Sequence, residues 1–198
     1  MNTIAIDGAT AVISRPDAPA LRVERYDGPA AADRLPLWVG AYEDVYAHAL
    51  DLSDHNDPPI AERLERHCAR PGFELVAAFD EDRVAGLVYG YTLPEDSLWW
   101  EGLTPAPDPE FVREHPGRTV GVCELLVGVP WRRDGIGGGL LDAFLAQRPE
   151  ERAAALVADG NAVVLGRYAG YGFAPVGTME PYPGWRPHTM IVRPLRQG

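Results

Sequence analysis

Leu125-Leu126-Val127-Gly128-Val129-Pro130-Trp131-Arg132-Arg133-Asp134-Gly135-Ile136-Gly137 reads as a buried strand, a short Arg/Gly loop and the first turn of a helix. The helix continues with Leu140, Leu141, Phe144 and Leu145 at amphipathic spacing. A glycine-rich turn at a helix start leaves several backbone N–H groups without intrahelical partners, at the positive end of the helix dipole. Such a turn, flanked by the full charges of Arg132 and Arg133, is suited to a phosphate or pyrophosphate. It is not a P-loop, which requires Gly-Lys-Ser/Thr, because the chain contains no lysine. Nor does Gly135-Ile136-Gly137-Gly138-Gly139-Leu140 fit the dinucleotide pattern, in which the third glycine follows the second after two residues.

What the loop does fit is Arg-x-x-Gly-x-Gly, read as Arg132, Gly135 and Gly137, with Val127 five residues before the arginine. About 30 residues on, Ala153–Ala158 reads as a short strand, followed by Asn161, a helical segment, Tyr168 and Gly172-Phe173. Together these resemble the two signatures of the GNAT superfamily of acyl-CoA N-acyltransferases. The resemblance implies that the first loop holds the pyrophosphate of acetyl-CoA. The amides of Arg133, Asp134, Gly135, Ile136, Gly137 and Gly138 would line it, and Leu125 and Val127 would offer strand backbone to the pantetheine arm. It also implies that Asn161 lies near the cofactor and that the Tyr168 hydroxyl acts as general acid toward the thioester sulfur. Taken alone, Tyr168 reads equally as a core residue on a helix ended by a glycine cap.

The remaining pattern gives the order strand, helix, helix, strand, strand, strand, helix, strand, helix, strand, strand, from residue 21 to the carboxyl end. Leu21–Tyr26 alternates, residues 35–49 and 60–68 are helical, and Phe73–Phe79 with Val84–Leu93 forms a hairpin around Asp80-Glu81-Asp82. The fold class expected is α/β (α+β): a GNAT-like mixed, mostly antiparallel central sheet of about seven strands with helices on both faces. The family resemblance adds that the sheet is splayed at its fourth and fifth strands. Residues 1–20 read as an extension or an edge strand, and 21–198 as one domain.

Two cysteines, Cys68 and Cys123, make no disulfide framework, so a reducing cytoplasm is the simplest setting. The amino terminus has no secretory signal pattern, and no apolar run is long enough for a transmembrane helix. A net charge of −11 argues against nucleic acid and suits a cationic substrate. The partner expected is a small-molecule amine, with a homodimer left open. Neither nucleic acid nor membrane is expected, and acetyl-CoA is the only co-substrate, without a metal.

Transfer to an amine needs a base, and Glu124 is the carboxylate nearest the expected splay. Strand alternation sets it on the face opposite Cys123 and Leu125 unless a bulge re-aims it. Asp96, Glu101 and His115 are weaker candidates, and a water chain could also serve. From Pro94 to Arg118 the chain is long and Pro-rich, as functional loops are. Its Trp99, Trp100 and Glu101, with Tyr182 and Trp185 in a later turn, are the expected acceptor contacts, since aromatic faces beside carboxylates suit an organic cation. At least one of the two adjacent tryptophans is expected instead to pin the loop.

Three departures stand out against the family pattern. Arg133 occupies a position where glycine is common. Val164 replaces a commonly small residue. Gly166 and Gly170 weaken the helix that carries Tyr168 by about 1 kcal/mol each relative to alanine. The expected reaction is transfer of acetyl from acetyl-CoA to a primary amine by direct attack in a ternary complex. The alternatives are a protein lysine or N-terminal acetyltransferase, and a catalytically silent acyl-CoA-binding regulatory module.

Overall fold

The computed structural model describes residues 4–7, 10–15 and 18–195. Parts of the expected amino-terminal extension (1–3, 8–9 and 16–17) and the last three residues of the chain lie outside the described residues. Two compact units are distinguished, Met1–Tyr91 with Glu124–Arg148, and Thr92–Cys123 with Pro149–Gly198. The strand order is β1-β2-β3-β4-β5-β6-β7-β9-β8.

In the first unit, β1 (Ile4–Asp7), β2 (Thr10–Arg15), β3 (Ala18–Asp27), β4 (Glu74–Asp80) and β5 (Arg83–Thr92, whose last residue falls in the second unit) follow one another as antiparallel neighbours. The alternation read at Leu21–Tyr26 holds from Leu21 to Glu24, where Leu21 and Val23 are buried, and breaks at its end, where Arg25 is exposed and Tyr26 is buried. Among the described residues nine strands stand where the pattern predicts about seven, and β1 with β2 accounts for the difference. Residues 1–20 read as an extension or an edge strand; within them Ile4–Asp7 and Thr10–Arg15 pair with each other, and the second pairs with β3.

Between β3 and β4 run four helices: α1 (Gly28–Ala32), α2 (Leu35–Tyr46), α3 (Ser53–Asn56) and α4 (Ile60–Cys68). Asp27 caps α1 through the Ala30 N–H, and proline stands early in both α1 and α2, where its missing N–H costs nothing. Trp38, Tyr42 and Val45 of α2 and Ile60, Leu64 and Cys68 of α4 are buried at the spacing of one helix face. Burial raises the Cys68 thiol to about 11, the value of an inert core residue.

β6 (Thr119–Val127) contributes to both units, Glu124 onward to the first. Gly86 of β5 is what lets this part of β6 come close: a Cβ there would stand 2.7 Å from the Leu126 carbonyl. α6 (Ile136–Leu145) follows, with seven of its ten residues buried, and Gly139 meets the side chain of Ile13 of β2.

The second unit holds α5 (Pro109–Val112), β7 (Arg152–Ala158), α7 (Ala162–Gly170), β8 (Ala174–Met179) and β9 (His188–Pro194). β6 pairs with β7 in parallel from Thr119–Arg152 to Val122–Ala155, and there the register ends, although β6 runs on to Val127 and β7 to Ala158. These are the fourth and fifth strands of the sequence reading. β7–β9 and β9–β8 are antiparallel. No helix among the described residues is long and apolar enough to cross a membrane.

Candidate active site

The Arg/Gly loop belongs to the first unit. After β6, Val129–Trp131 makes a single tight turn, anchored where the Trp131 indole N–H donates to Asp80 (2.7 Å) and the Arg83 guanidinium lies 4.7 Å over its ring. Arg132 folds back, its Nε donating to the Val127 carbonyl at 3.1 Å, which ties the motif's arginine to the motif's valine. Arg133 and Gly135 both take positive φ, 78° and 73°. Gly135 therefore precedes α6 in the left-handed conformation that glycine tolerates best. The first closing bond of the helix runs from the Gly139 N–H to the Gly135 carbonyl, 3.1 Å. The amides of Ile136, Gly137 and Gly138 precede it, at the positive end of a ten-residue helix. At Gly137 an added Cβ would meet only Val127 Cγ2, at 3.6 Å, an ordinary contact.

Glu124 lies three residues before Val127 on β6, in the same unit. Its side chain keeps partial exposure, but the carboxyl group is desolvated, and this holds it above the usual carboxylate range. Three influences oppose that rise: the Tyr46 hydroxyl, which donates to Oε1 at 2.9 Å, the charge of Arg63, and the Leu125 N–H. Leu126 and Val122, on the same face by alternation, are buried.

Around Tyr46 stand residues that the sequence reading took only as helix periodicity or did not single out. Tyr42 is buried, its hydroxyl 2.6 Å from His55 Nδ1, and the Arg63 guanidinium donates to the same hydroxyl at 3.0 Å. Desolvation raises the Tyr42 hydroxyl, with Glu124 adding to the effect. Desolvation works against charge on Arg63, but Tyr42, Tyr89 and Glu124 outweigh it and hold the guanidinium above its ordinary value. One turn further along α4, His67 packs on Tyr89 and Tyr91 at 5.8 and 5.2 Å. Burial and the neighbouring Arg63, Arg70 and Arg66 lower it to about 4, so it is neutral at pH 7. The spacing Arg63, Arg66/His67, Arg70 was the available signal for this cluster, a basic stripe in a chain of net charge −11.

In the second unit, Asn161 caps α7, its Oδ1 accepting from the Val164 N–H at 3.3 Å. Tyr168 is the buried residue of this helix and makes edge contacts with Phe173 (5.2 Å) and Tyr171 (6.1 Å). The Phe173 N–H bonds back to the Tyr168 carbonyl at 3.0 Å, past Gly172 at φ 85°. An added Cβ at Gly166 or Gly170 would meet nothing within 4 Å.

The two adjacent tryptophans part company. Trp100 is buried; its indole N–H donates to Glu114 at 2.9 Å, and its ring lies 4.7 Å under the Arg152 guanidinium. Glu114 Oε1 also accepts from Thr119 (2.8 Å) and Arg152 (3.0 Å), so Trp100 is the tryptophan that pins the long loop. Trp99 is partly exposed and lies over Gly121 of β6, where a Cβ would stand 3.0 Å from its ring. Glu101 is exposed. The loop is tied to β8 by a two-way backbone bridge between Thr104 and Thr178, both bonds 2.8 Å. Tyr182, 49% exposed, stacks on Trp185 at 4.7 Å, and Trp185 on His188 at 5.9 Å. No group of three or more His, Cys, Asp and Glu placed to hold a metal occurs among the described residues.

No protein-family model matches the chain, and no curated protein matches its sequence. Solved structures do match in fold. An aminoglycoside 6'-acetyltransferase type Ii is 17% identical, with TM-score 0.58, 89% of this chain and 98% of that one covered. The GNAT domain of PAT from S. lividans is 15% identical, with TM-score 0.63 and coverages of 93% and 96%. The PaiA N-acetyltransferase from Thermoplasma acidophilum, solved in complex with coenzyme A, is 10% identical, with TM-score 0.56 and coverages of 89% and 99%. The likeness spans nearly all of both chains in each case, and the fold of this chain is the GNAT acetyltransferase fold.

Proposed function

We propose that this chain is an N-acetyltransferase that moves an acetyl group from acetyl-CoA to the primary amine of a small molecule. The observation that carries the reading is the Arg132–Gly138 loop. In a chain with the GNAT fold, it puts a left-handed glycine and three early helical amides directly after the strand that bears a desolvated carboxyl. Those amides suit the pyrophosphate, and Leu125 and Val127 are the proposed backbone partners of the pantetheine arm. Acetyl-CoA supplies the activated acyl group as its thioester.

The rest is done by side chains. Glu124 takes a proton from the acceptor's ammonium, which frees the nitrogen lone pair to attack the acyl carbon. The new C–N bond forms as the C–S bond breaks. The Tyr168 hydroxyl gives its proton to the departing sulfur, and the proton that the nitrogen sheds leaves to solvent. The raised carboxyl of Glu124 supports the base role, since a base works best with a pKa near the operating pH. Asn161 is proposed beside the cofactor through the part of its amide not used in capping α7. Trp99, Glu101, Tyr182 and Trp185 are the proposed acceptor contacts, and Trp100 supports that loop from beneath.

The test is a panel of small amines and lysine- or N-terminus-bearing peptides with acetyl-CoA, read out as free thiol, alongside calorimetry with coenzyme A. Turnover on small amines is expected. Turnover on peptides alone transfers the reading to protein acetylation, and tight binding without turnover leaves a silent acyl-CoA module. Gly137→Glu is the variant for the cofactor, because its site is open and its backbone is ordinary, whereas any side chain at Gly135 is strained by the positive φ. Undiminished coenzyme A affinity in the folded variant would sink the loop assignment.

A further inference from the structure

One side-chain hydrogen bond holds Glu124, and the group that makes it is itself packed by two neighbouring rings. Tyr46, at the end of α2, donates to Glu124 Oε1 at 2.9 Å. Its ring lies 4.6 Å from that of Tyr42, one turn earlier on the same helix, and 4.5 Å from that of His55 on α3. Tyr42 and His55 are in turn bonded to each other at 2.6 Å, and Arg63 of α4 donates to the Tyr42 oxygen at 3.0 Å while its guanidinium lies 5.7 Å over the Tyr42 ring. The Tyr42 oxygen thus accepts from Arg63 and shares a second hydrogen bond with His55 Nδ1. Tyr42 and His55 pack on the ring that presents a hydroxyl to the carboxyl group, and Arg63 of α4 braces Tyr42 in turn.

We propose that Tyr46 is the positioning residue for Glu124: it fixes one carboxyl oxygen and leaves Oε2 as the oxygen that receives the acceptor's proton, with Tyr42, His55 and Arg63 as the clamp that keeps its ring in place. This rests on the reading of Glu124 as the base. A glutamate on a strand has several rotamers, and a donor on Oε1 selects one of them before any substrate arrives. The bond also favours the ionised carboxylate, against the desolvation that raises it. The charged and titratable groups that face Glu124 are Tyr46 and Tyr42 from α2 and Arg63 from α4; within β6 the Leu125 N–H adds a further bond. Among these, Tyr46 is the side-chain hydrogen-bond donor.

The test reads Glu124 directly, without an acceptor. The side-chain carboxyl carbon of Glu124 is titrated by NMR in protein labelled with 13C-glutamate, assigned by its loss in Glu124→Gln. In Tyr46→Phe the titration is expected to move to higher pH, since the strongest influence holding it down is gone. The basic rise of the kcat/KM profile then moves in the same direction. Below that rise kcat/KM falls about tenfold, the size expected for one bond to a charged group, while the acceptor's KM stays within about threefold. Incorporating 3-fluorotyrosine at position 46 keeps the ring and makes a stronger donor, so it moves the titration the other way. It tests the same bond should Tyr46→Phe not fold. An unmoved Glu124 titration in either folded variant overturns the positioning role. A moved titration with full turnover in Glu124→Gln overturns the base reading and the positioning role with it.

Discussion

Glu114 and Glu124 are both glutamates whose carboxyl groups lie in desolvated surroundings, and the structure treats them in opposite ways. Glu114, 1% exposed in its side chain, has a guanidinium at 3.0 Å, an indole N–H at 2.9 Å and a hydroxyl at 2.8 Å, all on one oxygen. Its charge is matched by a full opposite charge and serves to hold the 94–118 loop to β7. Glu124 has a neutral hydroxyl on one oxygen, and the cation that acts on it, Arg63, is bonded elsewhere, to Tyr42 and to the Asp54 carbonyl. Glu114 is thus locked into an ion pair, while the carboxyl of Glu124 is held above the usual carboxylate range by desolvation. The difference teaches that burial of an acid says little until its partner is known.

Removing each acid should therefore produce opposite defects, and the largest is at Glu114. Glu114→Ala leaves Arg152 buried without its partner, and a stability loss of about 3–5 kcal/mol is expected in urea unfolding. A loss under about 1 kcal/mol would mean that the loop is held without the pair. Glu124→Gln should do the reverse. Turnover falls about 100-fold or more, as for loss of a general base, while stability stays within about 1 kcal/mol because the amide oxygen still accepts from Tyr46. If this variant unfolds instead, the contrast between the two acids is lost.

Next in size is a pH effect in the first unit. His67 is lowered from 6.5 to about 4, so the folded state resists the proton that the unfolded chain takes up. The stability it contributes is complete above its unfolded value and is lost as pH falls toward the folded value, on the order of 2 kcal/mol after allowance for partial exposure. Glu124 has the opposite sign: its carboxyl is raised, so the associated stability is present at low pH and is lost as pH rises through the folded value. His67→Gln should flatten the acid side of the stability profile and leave the Glu124 part in place. An unchanged acid side would place the charge-sensitive group elsewhere.

The smallest effects concern two backbone mismatches of opposite kind. Arg133 sits at φ 78°, where glycine is at ease, so Arg133→Gly should raise stability by about 1 kcal/mol. Gly166 sits within a helix with open space around it, so Gly166→Ala should do the same. Thermal melting checks both. If Gly166→Ala also raises turnover, the flexibility of the Tyr168 helix limits the reaction; if turnover falls, that flexibility is used by it.

How much of this was legible depended on how far apart in the chain the partners lie. The Arg132–Gly138 loop could be read because its geometry is local: a positive φ asks for glycine, a helix start needs donors met, and neighbouring residues answer both. The helices α2, α4, α6 and α7 and the later strands announced themselves through periodicity. The β1–β2 hairpin read only as an extension or an edge strand, since nothing local says that Thr10–Arg15 pairs with β3. Tyr46 and Glu124 are 78 residues apart, and Glu114 and Arg152 are 38 apart. Nothing in either neighbourhood marks one residue as the other's partner, and Trp100 could not be told from Trp99 before its indole was seen to face Glu114.

Ile13 is fully buried and its side chain lies against Gly139 of α6, where an added Cβ would stand 3.2 Å from it. Anyone trimming this protein for crystallisation or fusing a tag will look first at the segment before Leu21, where the pattern is weakest. Cutting there would take the Ile13 side chain away from α6, the helix that the Arg132–Gly138 loop leads into. The vacancy would lie two residues along α6 from Gly137, the proposed coenzyme A contact, so on that reading the first symptom of a shortened chain should be poorer capture of coenzyme A rather than failure to fold. Gly139→Ala, which crowds the same spot from the other side, would mimic it without touching the terminus.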